Sequence, residues 1–415
     1  MNTHVPVRGR HMTENRPSVI ARGVAFSFHL LLNKIDGGLH KGTIECLLPD
    51  GSFRVLGGRG QGPVAHLTVL RWNAFLRLAR GGSEGWYQAW QAHEWESSDP
   101  VALFEVLMRN RETLGNATRA SALTRVWNRL NFWRHRNTRA GSKRNILAHY
   151  DLGNDFYRLW LDDTMTYSGG LFQEPLNGEE KLESAQKRKV QELGKRLNLK
   201  PASTILEIGC GWGYFSRLCA EKGHAVTAIT LSPAQKLYAE QASVQLAAPP
   251  TYQLCDYRDV AGQFDAIASV EMVEAVGQTY WPTYLDTIVR CLKPGGRAAI
   301  QYIAIADDVF EAYASSMDFI QTHIFPGGML LSESRFRALA EARGLAWEEP
   351  THFPAHYAET LRRWRMRFDG AVEDGRLPIG FDERFIRLWR YYLMYCEAGF
   401  RSEGITVAHV TLVKQ

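Results

Sequence analysis

Three glycines at alternate positions mark the stretch of the sequence best suited to hold a ligand. The apolar run 204–208 stops at Gly209, Gly211 and Gly213, and a helical pattern follows. This order predicts a buried strand, a tight turn and the start of a helix. Glycine allows positive φ and a close approach of a ligand, and the free N–H groups of a helix start favour a negative group. We therefore expect a small ligand with an anionic part at the carboxyl end of this strand.

The spacing of these glycines separates two classes of ligand. A nicotinamide-type fingerprint has the form G-x-G-x-x-G, whereas this stretch has the form G-x-G-x-G and is preceded by Glu207. It resembles the first motif of class I S-adenosylmethionine-dependent methyltransferases. Three glycines alone also fit an ordinary strand, turn and helix, so the flanking chain has to decide.

The composition limits the class of protein. The chain has 415 residues, of which 45% are hydrophobic and 22% charged, which favours a globular protein of two or three domains. The net charge of +5 is too small to indicate a nucleic-acid partner. The six cysteines lack paired C-x-x-C spacing, which argues against a zinc site or a disulfide framework and fits a reducing cytoplasm. No apolar run has the length of a membrane span.

The elements that must position the glycine turn follow one another along the chain. Strands alternating with helices predict a doubly wound, mostly parallel α/β sheet, with its ligand crevice at the carboxyl ends of the strands. Polar clusters follow the first four strands, where a site needs them. The predicted strands are 204–208, 225–231, 251–254, 264–270 and 298–303, with a turn at 292–297 before the fifth and a final strand at 405–413.

Changes of pattern divide the chain into parts. A smaller α+β domain is expected before the sheet, because 43–56 predicts two strands joined at a Pro-Asp-Gly turn. The start of the chain lacks the apolar centre of a signal peptide. The expected parts are a loose tail at 1–22, the α+β domain at 23–110, a basic linker or amphipathic helix at 111–144, and the α/β domain at 145–415.

The basic segment has two interpretations. Ten arginines and lysines between Arg109 and Arg144 face a single acid, Glu112, and Trp127 and Trp133 fall at helical spacing among them. A basic amphipathic helix suits an anionic membrane surface or an acidic partner. The alternative is a solvated linker whose tryptophans pack on a neighbouring domain. DNA is not expected, since no groove-reading motif is present.

Several segments together resemble the cyclopropane fatty acid synthase family, which includes the mycolic acid cyclopropane synthases. The resemblance covers about residue 145 to the C-terminus closely and 24–110 more loosely. The segments that carry it are His149-Tyr-Asp-Leu-Gly-Asn-Asp, Thr166-Tyr-Ser, Leu206-Glu-Ile-Gly-Cys-Gly-Trp-Gly, Thr230-Leu-Ser, Asp256-Tyr-Arg-Asp, Leu292-Lys-Pro-Gly-Gly and, after Phe319-Ile-Gln, Ile324-Phe-Pro-Gly-Gly.

The resemblance implies methyl transfer from S-adenosylmethionine to the cis double bond of an acyl chain in a membrane phospholipid. A sulfonium methyl is a strong electrophile and an alkene a weak nucleophile, so the enzyme must align the two and exclude water. A lipid-binding insertion is expected at about 305–370. By resemblance, the cofactor meets Gly209, Gly211 and Gly213 at the turn, Tyr167 and Ser168 at its methionine end, Thr230, Ser232 and Gln235 near the ribose, and Asp256 and Tyr257 beside the adenine.

The sequence departs from the family at the proton acceptor. The resemblance implies a bicarbonate ion held by a cysteine, a glutamate, a histidine, a backbone group and a tyrosine. Glu274, Ile303 and Tyr357 match three of these positions, but Gly169 stands at the cysteine position and Gln301 at the histidine position. Glutamine can form hydrogen bonds but has no proton to exchange near neutral pH. Either Gln301 still holds the anion or bicarbonate is absent.

If bicarbonate is absent, Glu274 becomes the candidate base, because a carboxylate in an apolar pocket has a raised proton affinity. The carbocation would then lose a different proton and give a methyl-branched or methylene-bearing chain. The alternative is ordinary cyclopropane formation.

The expected partners and location follow from this assignment. They are unsaturated phospholipid acyl chains and an anionic membrane surface, with peripheral association on the cytoplasmic side and no nucleic acid. A homodimer is one of the oligomeric states compatible with the sequence. Two other functions remain: methyl transfer to a soluble small molecule, and lipid binding without catalysis.

Overall fold

The computed structural model describes residues 19–114, 138, 141, 152–315 and 317–415. The basic segment therefore lies almost wholly outside the described residues, as do His149 and the two residues after it. Among the described helices, none combines the length and the apolar character that crossing a bilayer requires.

The N-terminal unit packs helices against a small mixed sheet with the strand order β2-β1-β3-β4. A turn at Gly51, whose φ is +81°, joins β1 to β2. The side chain of Asp99 accepts a hydrogen bond from the Ala102 N–H and so begins α4, with Pro100 in its first turn. Its described elements are α1 (Val19–Gly38), β1 (Thr43–Leu47), β2 (Phe53–Gly57), β3 (Val64–Val69), α2 (Asn73–Gly81), α3 (Ser83–Gln91), β4 (Trp95–Glu96), α4 (Pro100–Arg109) and α5 (Arg111–Leu114).

Helix α1 corrects the predicted boundary of the tail. It begins at Val19, inside the stretch 1–22 that the sequence predicts to be loose. Its apolar residues Phe28, Leu32 and Ile35 are buried in the core of the unit. Helical spacing of apolar side chains that pack on the sheet explains why the helix forms there.

The second sheet is doubly wound and mostly parallel, which confirms the predicted α/β class. Its strand order is β7-β6-β5-β8-β9-β12-β11, with β10 paired to β9. Strands β5 to β9 are parallel, and β12 runs antiparallel between β9 and β11. The strands are β5 (Thr204–Ile208), β6 (Ala225–Thr230), β7 (Thr251–Leu254), β8 (Phe264–Val270), β9 (Leu292–Ile305), β10 (Leu331–Ser332), β11 (Leu345–His352) and β12 (Ile405–Lys414).

Helices cover both faces of this sheet and complete the described chain. They are α6 (Asn154–Arg158), α7 (Leu182–Arg196), α8 (Tyr214–Glu221), α9 (Pro233–Ser243), α10 (Trp281–Cys291), α11 (Asp307–Ala314), α12 (Phe319–His323), α13 (Glu333–Glu341), α14 (Pro354–Glu373) and α15 (Glu383–Arg401).

Two predicted boundaries differ from the structure. The stretch 292–297, predicted as a turn, is the first part of β9, because Leu292 already pairs with Phe264 and a bulge absorbs the extra residues before Arg297 pairs with Ala266. The predicted insertion at about 305–370 is interrupted, because β11 within it pairs with β12 in the main sheet.

Helix α15 joins the two units. The Trp90 indole N–H donates to the Arg387 carbonyl at 3.1 Å, and the Tyr391 ring contacts those of Tyr87 and Phe104 at centroid distances of 5.2 and 5.0 Å. These side chains belong to one continuous hydrophobic core. The N-terminal unit therefore supports the helix that also borders the site described next.

Candidate active site

A cavity of 560 Å³ lies at the carboxyl ends of the parallel strands. Its wall is formed by the glycine turn, the ends of β5, β6, β8 and β9, and residues of α14 and α15. Apolar side chains form much of this wall, among them Met165, Ile303, Phe325, Met329, Leu361 and Phe400. The predicted position of the ligand crevice is thus the position of the cavity.

The glycine turn needs its glycines for backbone shape and for space. Gly209 and Gly213 have φ of +80° and +82°, in the region that favours glycine. A Cβ on Gly209 would lie 2.7 Å from Met272 Cγ, and one on Gly213 would lie 2.7 Å from the Tyr252 hydroxyl oxygen. A Cβ on Gly211 would meet nothing within 4 Å, so this residue borders open space in the cavity wall. The turn therefore fits the close approach of an S-adenosylmethionine-sized ligand.

The start of α9 supplies a second polar edge. The Thr230 hydroxyl donates to Gln235 Oε1 at 2.8 Å, and the Ser232 N–H donates to Thr230 Oγ1 at 3.1 Å. Ser232 Oγ caps the helix by accepting from the Gln235 N–H at 3.3 Å. Thr230 and Gln235, two of the three residues predicted near the ribose, line the cavity.

Of the two residues predicted beside the adenine, only one lines the cavity. Tyr257 lines the cavity, but the Asp256 carboxylate accepts two hydrogen bonds from the Arg258 guanidinium, at 2.8 and 2.6 Å. Gly213, Ser232 and Asp256 are not among the described residues that line the cavity.

The segment before α7 brings Tyr167 and Ser168 to the cavity. The hydroxyl oxygens of Tyr167 and Tyr392 lie 2.7 Å apart, and the Lys189 ammonium donates to Ser168 Oγ at 2.5 Å. Burial lowers the pKa of Lys189 to about 8, against the opposing effect of nearby carboxylates such as Glu271. This part of the wall is polar and carries a buried cation.

Glu271 directly follows β8 and forms the centre of a hydrogen-bond network. Its Oε1 accepts from the Gly169 N–H at 2.9 Å and from the Gln301 amide at 2.6 Å, and its Oε2 accepts from the Tyr357 hydroxyl at 2.6 Å. Burial raises the pKa of Glu271, and the hydrogen bond from Tyr357 is the largest opposing effect. The resemblance gave Glu271 no role; its place after the fourth strand was the only sequence signal.

Glu274 is a second carboxylate on the cavity wall. Its Oε1 accepts from the Ile303 N–H, whereas no described residue gives its buried Oε2 a hydrogen bond. Burial, followed by the negative charge of Glu271, raises the pKa of Glu274 to about 8. Two carboxylates with unequal partners therefore lie side by side.

Gln301 is held by a residue that sequence analysis did not identify. The His409 Nε2 lies 2.8 Å from Gln301 Oε1 across the β9–β12 pair. Burial lowers the pKa of His409 to about 3, so the ring is neutral and its Nε2–H donates to Gln301. The amide nitrogen of Gln301 then faces Glu271 and the Gly169 carbonyl, the latter at 3.1 Å. The presence of a polar residue, His409, within the predicted final strand 405–413 was the only sequence signal.

Gly169 makes room for Tyr357. A Cβ on Gly169 would lie 2.9 Å from two ring carbons of Tyr357, closer than ordinary van der Waals contact. The other face of that ring stacks on Phe400 at a centroid distance of 4.4 Å. Burial and the charge of Glu271 raise the pKa of Tyr357 well above its usual range, so its hydroxyl remains a donor.

The residues present do not fit a bicarbonate ion at the position that the resemblance implies. Glu271 already accepts from the groups at three of the implied positions, Gly169, Gln301 and Tyr357. The backbone N–H of Ile303, at a fourth, donates to Glu274. Carboxyl groups of the protein itself occupy this position.

The sequence model of the mycolic acid cyclopropane synthetase family matches residues 137–410. The chain is 37% identical over 348 residues to the tuberculostearic acid methyltransferase UfaA1 of Mycobacterium tuberculosis, a match covering 82% of this chain and 81% of that protein. It is 35% identical over 263 residues to the cyclopropane-fatty-acyl-phospholipid synthase of Escherichia coli, covering 63% of this chain and 65% of that protein.

A solved structure shows the same catalytic fold. The mycolic acid cyclopropane synthase CmaA1, complexed with SAH and CTAB, superposes with a TM-score of 0.61 and 28% sequence identity. The superposition covers 66% of this chain and 98% of that chain.

Proposed function

Because the chain belongs to the mycolic acid cyclopropane synthetase family, we propose that it methylates the double bond of an unsaturated acyl chain in a membrane phospholipid. Family membership makes it an S-adenosylmethionine-dependent methyltransferase that acts on lipids. Three elements of the function are proposals: the acyl double bond as methyl acceptor, the phospholipid as substrate, and the identity of the product.

The observation that carries the proposal is the continuity of the cofactor turn with an apolar cavity. Gly211 and Glu271 lie on the same cavity wall as Phe325, Met329 and Leu361. Near the turn, the Thr230 hydroxyl donates to Gln235 Oε1 at 2.8 Å, so these two polar side chains already have partners. A soluble polar acceptor would need free hydrogen-bonding groups to orient it, whereas an acyl chain needs apolar walls. The cavity therefore favours a lipid acceptor.

For this reaction the protein must align the methyl group with the double bond, exclude water and stabilise a carbocation. When bound, S-adenosylmethionine supplies an electrophilic sulfonium methyl and leaves as a neutral thioether, so the electron pair of the double bond ends in the new carbon–carbon bond. The neighbouring carbon is then a cation. The aromatic rings of Tyr167, Phe325 and Tyr392 line the cavity and can face this charge. Apolar walls keep water from trapping the cation.

Two products are open to this cation. Loss of a proton from the new methyl group, with ring closure, gives a cyclopropane. If a hydride first moves from the methylated carbon to the cationic carbon, the more substituted cation loses a methyl proton and gives a methylene branch. We assign the methylene branch, because carboxylates of the protein occupy the implied bicarbonate position. A saturated methyl branch would additionally require a hydride donor.

We propose catalytic roles for the four residues that the sequence predicts, because of their positions at the cavity and around Glu271. Glu274 and Tyr357 line the cavity, and Gln301 and Gly169 contact the Glu271 carboxylate from behind. They hold or tune the acceptor of the departing proton. Peripheral binding to an anionic membrane is proposed from the basic segment, most of which lies outside the described residues.

Product identification from purified components tests the function. The enzyme is incubated with S-adenosylmethionine and liposomes of an oleoyl phospholipid, and the acyl chains are analysed by mass spectrometry and NMR. We expect one added carbon, olefinic methylene signals, and no product from liposomes with saturated chains. Cyclopropane signals would refute the assigned product, and failure to modify any unsaturated lipid would refute the acceptor.

A further inference from the structure

We propose that Glu271 is a built-in anion that replaces dissolved bicarbonate and accepts the proton lost by the methylated cation. This inference rests on the proposed function, because it names the base of that reaction. It differs from the sequence expectation, which placed the base at Glu274.

The first support is the set of donors around one carboxylate. Glu271 accepts three hydrogen bonds of 2.6 to 2.9 Å, from a backbone N–H, an amide and a phenol. These donors come from three distant parts of the chain, at Gly169, Gln301 and Tyr357. A carboxylate can accept about four hydrogen bonds. One acceptor position, on Oε2, therefore remains for a proton from the cavity that Glu271 lines.

The second support is the space that the carboxylate fills. Gln301 is fully buried, and neither Gln301 nor Gly169 is among the described residues that line the cavity. Glu271 does line it, so its carboxylate lies between these donors and the substrate space. A dissolved anion would have to displace Glu271 to reach them.

The third support is the unequal pairing of the two neighbouring carboxylates. Three donors stabilise the charged form of Glu271, whereas Glu274 accepts from a single backbone N–H. When two buried carboxylates interact, the poorer-paired one holds the proton first. The pKa of Glu274, raised to about 8, agrees with this order. Glu271 is thus the ionised partner, and only an ionised carboxylate can accept a proton.

The fourth support is the backbone. Glu271 has φ of +48°, which a side-chain-bearing residue rarely adopts. Such strain persists only where the surrounding structure fixes it, and it concentrates at functional sites. The three hydrogen bonds of the side chain supply that fixation. Glycine would adopt the same φ without strain, which provides a variant that keeps the fold.

The lipid and the protein supply every group that this proton transfer needs. The bond between carbon and hydrogen in the new methyl group breaks, and its electron pair forms the carbon–carbon double bond. The proton goes to Glu271 Oε2, while Tyr357 keeps its own proton and its hydrogen bond to the carboxyl group. The three donors make Glu271 a weaker base than an equally buried carboxylate without donors would be, which slows ring closure and allows the hydride shift. The protonated side chain returns its proton to water when the product leaves.

The test compares Glu271→Gly with the wild type in bicarbonate-free buffer and after addition of bicarbonate. The glycine variant exposes the three donors to the cavity, so bicarbonate can take the vacated position. We expect turnover to fall about 10²- to 10⁴-fold without bicarbonate, the usual range for loss of a general base, and to recover when it is added. Wild-type turnover should not respond to bicarbonate.

Binding provides a readout independent of turnover. Bicarbonate should raise the melting temperature of Glu271→Gly and leave that of the wild type unchanged. Glu349→Gly is the matched control, since this exposed glutamate has a similar φ of +52° and lies on the edge strand β11. Glu271→Gln is the second variant: its amide fills the same space, so turnover should fall without rescue by bicarbonate while binding of S-adenosylmethionine persists.

Three results would overturn the inference: stimulation of the wild type by bicarbonate, full turnover of Glu271→Gly without it, or failure of bicarbonate to bind that variant. Each presupposes that the wild type methylates the unsaturated lipid. If the wild type yields no methylated lipid, the proposed function fails instead, so the two failures are distinguishable.

Discussion

The close contact between Gly169 and Tyr357 predicts how much stability a substitution at Gly169 would cost. In Gly169→Ala the new Cβ would lie 2.9 Å from ring carbons Cγ and Cδ1 of Tyr357. The ring cannot retreat, because its other face stacks on Phe400 at 4.4 Å and Trp364 lies edge-on at 6.1 Å. Overpacking of this kind costs about 1–3 kcal/mol of stability. We expect the unfolding free energy to fall by that amount.

The same substitution should impair catalysis. A displaced ring carries its hydroxyl away from Glu271 Oε2, to which it now donates at 2.6 Å. A hydrogen bond to a charged group contributes about 1.5–3 kcal/mol, which corresponds to roughly 10- to 100-fold in turnover. Binding of S-adenosylmethionine should change little, because the glycine turn is untouched.

Urea unfolding and initial rates of methyl transfer measure the two effects. Gly194→Ala is the matched control: Gly194 lies inside helix α7 and its Cβ would meet nothing within 4 Å. That control should gain about 0.5–1 kcal/mol, since alanine favours a helix more than glycine does. If Gly169→Ala matched the wild type in both stability and turnover, the proposed fit between Gly169 and Tyr357 would be wrong.

Three further predictions address other groups. The pKa of Glu274 rises from 4.5 to about 8 on folding, so its carboxyl group stabilises the fold below pH 4.5 and loses this contribution as pH rises through 8. Glu274→Gln should therefore gain unfolding free energy relative to the wild type between pH 5 and 8, by at most about 5 kcal/mol; a difference constant with pH in urea titrations contradicts this. Gln235→Ala removes the partner of the Thr230 hydroxyl and should weaken S-adenosylmethionine binding about 10-fold by calorimetry, whereas an unchanged Kd would remove Gln235 from the cofactor site. Serine substitutions in the basic segment should weaken binding to anionic liposomes, measured by co-sedimentation, by about 1 kcal/mol per residue. They should leave binding to neutral liposomes unchanged. Equal binding of the wild type to anionic and neutral liposomes would favour the linker interpretation. The substituted residues are Arg125, Arg129, Arg134 and Arg136.

The sequence predicted the catalytic fold well because the signals are local. Strand β8 has the predicted bounds, and β5 ends where the apolar run stops at Gly209. Alternating strands and helices, with glycines at the first turn, indicate this architecture without long-range information. The predicted tail boundary and the turn before the fifth strand were less exact, because packing of α1 and the bulge in β9 are tertiary effects.

The network around Glu271 could not be predicted in the same way. Its donors lie 102 residues before it, 30 residues after it and 86 residues after it. No periodicity or spacing links such positions; only the folded chain brings them to one carboxylate. The neutral His409 behind Gln301 is equally remote, 108 residues further along the chain. Gly169 and Gln301 stand out in the sequence as irregular positions, whereas Glu271, to which both donate a hydrogen bond, does not.

The cavity wall has contributions from outside the family domain. Met108 at the end of α4 and Arg111 in α5 line it, and Arg111 donates to the Gly404 carbonyl at 3.1 Å. Both precede residue 137, where the match to the family begins. If the acceptor is the proposed acyl chain, the N-terminal unit therefore forms part of the wall that this chain meets. Exchanging the N-terminal unit between relatives would then change the accepted acyl chain length while the catalytic domain stays the same.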